Sequence, residues 1–506
     1  MNPKFKVFRS GEQIADVQTS NGENILEALS SNDIFLDAPC GGRGSCGKCK
    51  VRLTHDGDEV KACQTIVEDG MTVYLPAKMD MEIAGQAAAQ PSSDIGGAFG
   101  VAIDIGTTTV VAHLTSLETS ERVATSSGVN AQRPYGADVV SRIEYSMEHG
   151  HRALTRLIQT QINGLISDAC ANAGISPQRV NYISIAGNTI MQHLAADYSP
   201  AGMGTVPFEP VSMFGGELPA WSGLPTAADT KIYYAPCISS YVGGDITAGL
   251  LACDLEDDNG PTVFIDIGTN GEIAAKIGDK YLCCATAAGP AFEGAEISHG
   301  MAAITGAINH VLWDNGLALT IIGNTEPEGL CGSGLLDALA LLLDTGAVDE
   351  TGRLLDIDEI SHPIKEHIGK AEGKNAFFLS RERGIYLSAA DIRKLQLAKA
   401  AIAAGICTLL VTADVEPKDV KTFILAGGFG SYLDRNSAAR IGLFPKEFLS
   451  VTRSMGNTAG EGAALALISA ANRKILEHIC EKCSYVELSD SLIFNEQFVE
   501  QMMFEE

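Results

Sequence analysis

A six-residue turn in this 506-residue chain recurs once, far apart, with five residues identical: Ile103-Asp104-Ile105-Gly106-Thr107-Thr108 returns 162 residues later as Ile265-Asp266-Ile267-Gly268-Thr269-Asn270. That spacing is the size of a domain, whereas solenoid repeats run at roughly 20–50 residues. Each copy closes an apolar β-branched run, which reads as a buried strand ending in a tight turn. Further runs of the same kind, YISIAGN and FILAGGFGS, alternate with helical stretches, the pattern of α/β layers. Two related α/β lobes, each contributing one turn to a shared cleft, is the simplest architecture that repeats a turn once per half.

A turn that presents N–H groups and hydroxyls is an anion cradle, and two of them facing each other can hold the phosphates of a nucleotide. Gly106, Thr107 and Thr108 would line one side, and Gly268, Thr269 and Asn270 the other. Asp104 and Asp266, at the strand ends, are hard oxygen ligands placed to hold Mg2+ through water. Two more segments extend the site. Tyr241 to Gly249 sets Asp245 before a helical stretch, and Leu425-Ala426-Gly427-Gly428-Phe429-Gly430-Ser431 ends a strand in a glycine turn that could admit a base and ribose. No G-x4-G-K-[ST] phosphate loop occurs.

The N-terminal part differs. Residues 4–60 read as a hairpin, a short helix and further strands, with His55-Asp56-Gly57-Asp58 as the turn between KVRL and EVKA. Within it Cys40, Cys46, Cys49 and Cys63 follow a C-x5-C-x2-C-x13-C spacing. Four thiolates can close a tetrahedral zinc site or an iron-sulfur cluster. Gly41, Gly42, Gly44 and Gly47 favour the cluster, because they let the loop wrap a larger object and aim backbone N–H groups at sulfur.

This segment resembles a [2Fe-2S] ferredoxin domain of the β-grasp type, with one residue more in the first gap than the plant-type C-x4-C-x2-C. The order of turn, carboxylate helix, turn and glycine-rich turn resembles the actin, sugar kinase and Hsp-type (ASKHA) ATPase superfamily. By that resemblance Gly106–Thr108 and Gly268–Asn270 are the two phosphate loops and Gly427 and Gly428 the adenosine loop. Asp245 lies on the first connecting helix, where the superfamily places an acidic residue that orients the attacking water, and Asn457 to Gly462 open the second. The expected division is an α+β ferredoxin-like domain over 1–79, a linker over 80–98, an actin-like ATPase over 99–470 with lobes of about 99–255 and 256–470, and a C-terminal extension over 471–506.

The combination, with its GPAFEGA and CGSGLLDAL segments, resembles the reductive activators of corrinoid proteins. The resemblance implies ATP-dependent reduction of Co(II) to Co(I) in the corrinoid protein of a methyltransferase or O-demethylase system, with electrons passing through the cluster. It implies ATP, Mg2+ and [2Fe-2S] as cofactors and a low-potential donor such as reduced ferredoxin or flavodoxin, and it admits a homodimer. It leaves little room for a separate middle domain between linker and ATPase. The competing readings are an activator of a radical acyl-CoA dehydratase or ring reductase, a small-molecule kinase on the same fold, and a non-catalytic redox- and nucleotide-dependent docking switch.

Charge sets the remaining bounds. The formal net charge is −27, of which residues 1–79 carry only −2, from 9 basic and 11 acidic residues. Such a field repels nucleic acid and anionic membranes, and predicts a partner with basic patches whose association weakens with salt. The longest apolar run, Ala400–Ala413, is shorter than the roughly 20 residues of a membrane span. With no apolar stretch behind the basic N-terminal residues, a cytoplasmic location is expected. Cys480 and Cys483 form a weak C-x2-C ligand signal, the other cysteines read as core filling, and His113, His193 and His299 as structural or solvent-facing.

Overall fold

The computed structural model describes residues 2–9, 11–32, 34, 36, 44, 49–54, 57–76, 97–255, 260–430 and 433–505. Cys40, Cys46 and nearly all of the linker expected over 80–98 lie outside them.

The N-terminal unit is a β-grasp. Strands β1 (Lys4–Arg9), β2 (Glu12–Gln18), β3 (Lys50–Arg52), β4 (Glu59–Lys61) and β5 (Thr72–Leu75) form one mixed sheet in the order β2-β1-β5-β3-β4. The expected hairpin is present, with Val51 opposite Val60. Helix α1 (Ile25–Ser30) starts at a capping box in which Asn24 Oδ1 accepts from Glu27 N–H at 3.0 Å. Alternation along β1 turns Phe5 and Val7 inward, where they meet Ile25, Leu29 and Val73.

The next sheet contains β6 (Phe99–Ile105), β7 (Thr109–Ser116), β8 (Arg122–Val129), β9 (Val180–Gly187), β10 (Gly216–Leu218) and β11 (Lys231–Tyr234), in the order β10-β11-β9-β6-β7-β8. Helices α2 (Val139–His149), α3 (Arg152–Asn172), α4 (Thr189–Ala195) and α5 (Gly244–Ala252) accompany it. A second six-stranded sheet begins with β12 (Thr262–Ile267), β13 (Gly271–Ile277) and β14 (Lys280–Thr286). Two three-stranded sheets follow, from β15 (Ala307–Trp313), β16 (Leu317–Ile321) and β17 (Gly329–Leu330), then β18 (Ile368–Ala371), β19 (Lys374–Ser380) and β20 (Ile385–Ser388). The large sheet resumes with β21 (Thr422–Ala426), β22 (Thr452–Gly456) and β23 (Cys483–Tyr485), giving β22-β21-β12-β13-β14-β23. Helices α6 (Gly332–Asp344), α7 (Ala389–Thr412), α8 (Gly427–Gly430), α9 (Arg435–Arg440), α10 (Thr458–Ile468), α11 (Ala470–Lys482) and α12 (Leu492–Glu500) complete the chain.

The two large sheets share one wiring. In each, three antiparallel strands run in chain order and a later strand adds in parallel beside the first: β9 beside β6, and β21 beside β12. The recurring Asp-Ile-Gly turn closes the first strand of both. Residues expected as a separate C-terminal extension are integrated into this lobe: β23 pairs in parallel with β14, and Phe504 is buried in the lobe's core. Among the described residues α7 alone is long and apolar enough to cross a membrane, and most of it is buried against this second sheet.

Candidate functional site

Strand alternation decides where the key carboxylates point. On β6, Val101, Ile103 and Ile105 enter the core beneath α3, so Gly100, Ala102 and Asp104 face the other way, toward α10. On β12, Val263, Ile265 and Ile267 enter the core beneath α6 and α7, which leaves Phe264 and Asp266 on the α5 side. Both aspartates thus reach the space between the lobes. Antiparallel register places Glu272 opposite Asp266 on the same face.

Asp245, in the first turn of α5, joins them, and burial raises all four carboxylates, with the Asp266 charge adding to the other three. Burial raises Asp104 to about 7, with help from the Asp266 charge and opposition from the Asn457 amide. Burial, then Asp266 and Asp104, pushes Asp245 up to about 8. Burial alone lifts Asp266 to about 6, while burial followed by Asp245 and Asp266 holds Glu272 well above the usual carboxylate range. Among the described residues no lysine or arginine offsets them, nor do three or more His, Cys, Asp or Glu side chains converge as a direct metal cage. A cluster of acids lacking a counter-charge fits a divalent cation held through water.

The two turns are braced from behind. Asn130 donates to Gly106 O at 2.8 Å, and Asn188, which caps α4, donates to Thr107 Oγ1 at 3.1 Å. Buried Arg142 donates to Thr107 O at 2.5 Å, to Gln132 at 3.1 Å and to Gly136 O at 3.1 Å, and burial pulls it down to about 9. In the second turn Gly268 N–H bonds Asn270 O at 3.0 Å, so that group is spent on the turn itself. One carboxylate links the turns: Glu293 accepts from Thr108 Oγ1 at 2.9 Å and from Thr269 Oγ1 at 3.0 Å.

Gly427 is required where it stands. Its φ is +86°, and a Cβ there would overlap Asp266 Oδ1. Beyond it the chain enters the one-turn helix α8, where the sequence predicts an open glycine turn; Gly428 faces open space. Helices α5 and α10 cross in contact because Gly462 lies against the Ala248 carbonyl and Gly249 against Phe264 and Thr458. Asn457 caps α10, accepting from Gly460 N–H at 2.8 Å while its amide reaches Asp104.

In the β-grasp unit the buried Cys49 and Cys63 Sγ atoms lie 3.3 Å apart, within hydrogen-bond reach and not joined as a disulfide. Two thiols converging on one point suit adjacent ligands of a tetrahedral iron, whose sulfurs stand ~3.8 Å apart at the usual metal–sulfur length. Gly44, at φ +78°, packs on Gln64 next to Cys63, and its carbonyl accepts from Lys61 Nζ at 3.0 Å.

A family profile described as "C-terminal domain of RACo the ASKHA domain" matches residues 260–506, one described as "RACo middle region" matches 99–258, and a "2Fe-2S iron-sulfur cluster binding domain" matches 10–68. The chain is 30% identical to the "Corrinoid activation enzyme RamQ" of Eubacterium limosum, over 97% of each chain. The chain belongs to the reductive activators of corrinoid proteins. The activator is also 25% identical to the "[Co(II) methylated amine-specific corrinoid protein] reductase" of Methanosarcina barkeri, over 71% of this chain and 68% of that one. A solved "Reductive activator for corrinoid,iron-sulfur protein" superposes with a TM-score of 0.73 at 29% identity, covering 99% of this chain and 98% of the other. The activator therefore has a [2Fe-2S] cluster-binding domain and a nucleotide-binding ASKHA domain. The matched middle region, residues 99–258, is the first six-stranded sheet with its helices.

Of the residues the sequence singles out, the activator brings Asp104, Asp245 and Asp266 together, with the Thr107–Thr108 and Thr269 turns beside them and Gly427 against Asp266. Sequence reasoning misses Glu272, Glu293, Arg142 and Asn188. Glu272 was within reach, since it lies one tight turn after Asp266 and alternation alone puts it on the same face. His113 and His193 are structural, as expected: burial pushes both down to about 4, and His193 Nε2 accepts from Val211 N–H at 3.1 Å.

Proposed function

We propose that this chain uses ATP to return the cobalt of a corrinoid protein from Co(II) to Co(I), within a methyltransferase or O-demethylase system. The observation that carries this is the joining, in one chain, of a β-grasp unit whose Cys49 and Cys63 converge and two lobes whose Asp-Ile-Gly turns face a common cleft. Cys40, Cys46, Cys49 and Cys63 hold the [2Fe-2S] cluster, which supplies electrons singly. Asp104 and Asp266 hold Mg2+ through water, and the ion offsets phosphate charge.

The chain's own groups do the rest. Hydroxyls of Thr107, Thr108 and Thr269 donate to phosphate oxygens, and Gly427 leaves room for the adenosine. Asp245 orients the attacking water; burial gives it a proton affinity near neutral, which suits an acid-base group. Hydrolysis alters how the lobes meet across α5 and α10, and that motion is coupled to the corrinoid protein. Residues 1–79 act as the redox module, tethered through 80–98 to the ATPase. A reduced ferredoxin or flavodoxin supplies the electrons, in the cytoplasm.

The test is Co(II) to Co(I) conversion of an isolated corrinoid protein with ATP and a low-potential donor. Cys49→Ser keeps ATP binding but loses the visible absorption of the cluster and all ATP-dependent conversion. Full conversion by that variant removes the cluster from the mechanism.

A further inference from the structure

The Glu293 carboxylate stands between the two phosphate turns with one oxygen committed to each: Oε2 to Thr108 in the first lobe, Oε1 to Thr269 in the second. A terminal phosphate bound between the turns would offer acceptors to the same two hydroxyls, with more charge and a third oxygen. We propose that Glu293 is an internal stand-in for the γ-phosphate, latching the lobes together when the site lacks ATP and yielding both hydroxyls when ATP enters.

The local backbone suits such a part. Glu293 ends the one-turn 3-10 helix Pro290–Glu293, flanked by Gly289 at φ +75° and Gly294 at φ +74°. A Cβ on Gly294 would meet the Met301 backbone at 2.6 Å, so the main chain beneath Glu293 is fixed. The side chain keeps its own torsions, which gives a rigid base and a movable carboxylate. The surroundings favour an anion at this point: buried Arg142 stands behind the first turn, and the Glu293 charge is among those acting on it. The same 3-10 helix packs on α6 and α7, so displacement of the carboxylate has a mechanical route into the second lobe.

The consequence is discrimination between nucleotides. ATP has to displace two hydrogen bonds to a charged acceptor, while ADP leaves them in place. Glu293 thereby lowers ATP affinity selectively and keeps the two turns joined after phosphate has left.

This inference rests on the nucleotide-cleft reading above, and the experiment separates the two. Binding of ADP and of a non-hydrolysable ATP analogue, each with Mg2+, is measured by calorimetry on the full-length holoprotein and on Glu293→Ala and Glu293→Gln. Removal of the latch tightens the analogue by about tenfold or more in Glu293→Ala, the order expected for two charge-assisted hydrogen bonds, and leaves ADP within about twofold. Glu293→Gln, which keeps one acceptor oxygen, falls between wild type and Glu293→Ala and decides the matter if the alanine variant is poorly folded. An unchanged analogue-to-ADP ratio, or weaker analogue binding in the folded variants, overturns the latch. A wild-type protein that binds neither nucleotide overturns the cleft reading itself.

Discussion

At the scale of single residues the site is a balance of unneutralised acids. Asp245, Asp104 and Asp266 are raised from an ordinary 3.8 to about 8, 7 and 6. A raised carboxylate holds a proton in the folded chain that the unfolded chain has released, so its contribution to stability is complete below pH ~4 and is lost as pH climbs through 6 to 8. Without nucleotide or Mg2+, thermal unfolding therefore shifts to lower temperature between pH ~4 and 8. Asp245→Asn removes the steepest part of that loss: its Tm exceeds wild type, by a margin that widens with pH, while its ATP hydrolysis falls roughly 10²- to 10⁴-fold. A Tm gap that does not change with pH contradicts this account of the cluster. Asp104 and Asp266 were legible in the sequence because their signal is local, a strand followed by Gly-Thr. Glu293 was not, because its two partners lie 24 and 185 residues away and only the closed fold brings the three together.

Among elements, the crossing of α5 and α10 ties the lobes together. Gly462 is the tightest point: an added Cβ would overlap the Ala248 carbonyl. Gly462→Ala forces the helices apart, an overpacking of ~1–3 kcal/mol, which lowers Tm by about 2–4 °C per kcal/mol in units of this size. Gly428→Ala, open on all sides, leaves Tm unchanged and is the control. Equal Tm values for both variants contradict the crossing as drawn. The strands carrying the aspartates could be read from β-branched runs, and the two connecting helices from the superfamily resemblance. The short strands β15 to β20 could not, since they bury only part of each face and pair within insertions that repeat nothing elsewhere. At Gly427 the missing side chain also permits a close approach to Asp266, and a helical turn follows.

For the whole molecule, the repeated turn proves to be a repeated wiring, with five strands in corresponding order in each large sheet and the two turns facing one cleft. The charge is divided along with the functions, since the near-neutral cysteine module leaves −25 of the −27 to the remainder. In the proposed mechanism, nucleotide chemistry between the lobes drives electron delivery from the cysteine module. The direct measurement is the rate of Co(II) to Co(I) conversion of a corrinoid protein by wild type and Asp104→Ala, with and without ATP, from one low-potential donor. Wild type converts cobalt in an ATP-dependent way and Asp104→Ala does not, although its cluster absorption is intact; ATP-dependent conversion by Asp104→Ala at the wild-type rate would contradict a nucleotide-driven step.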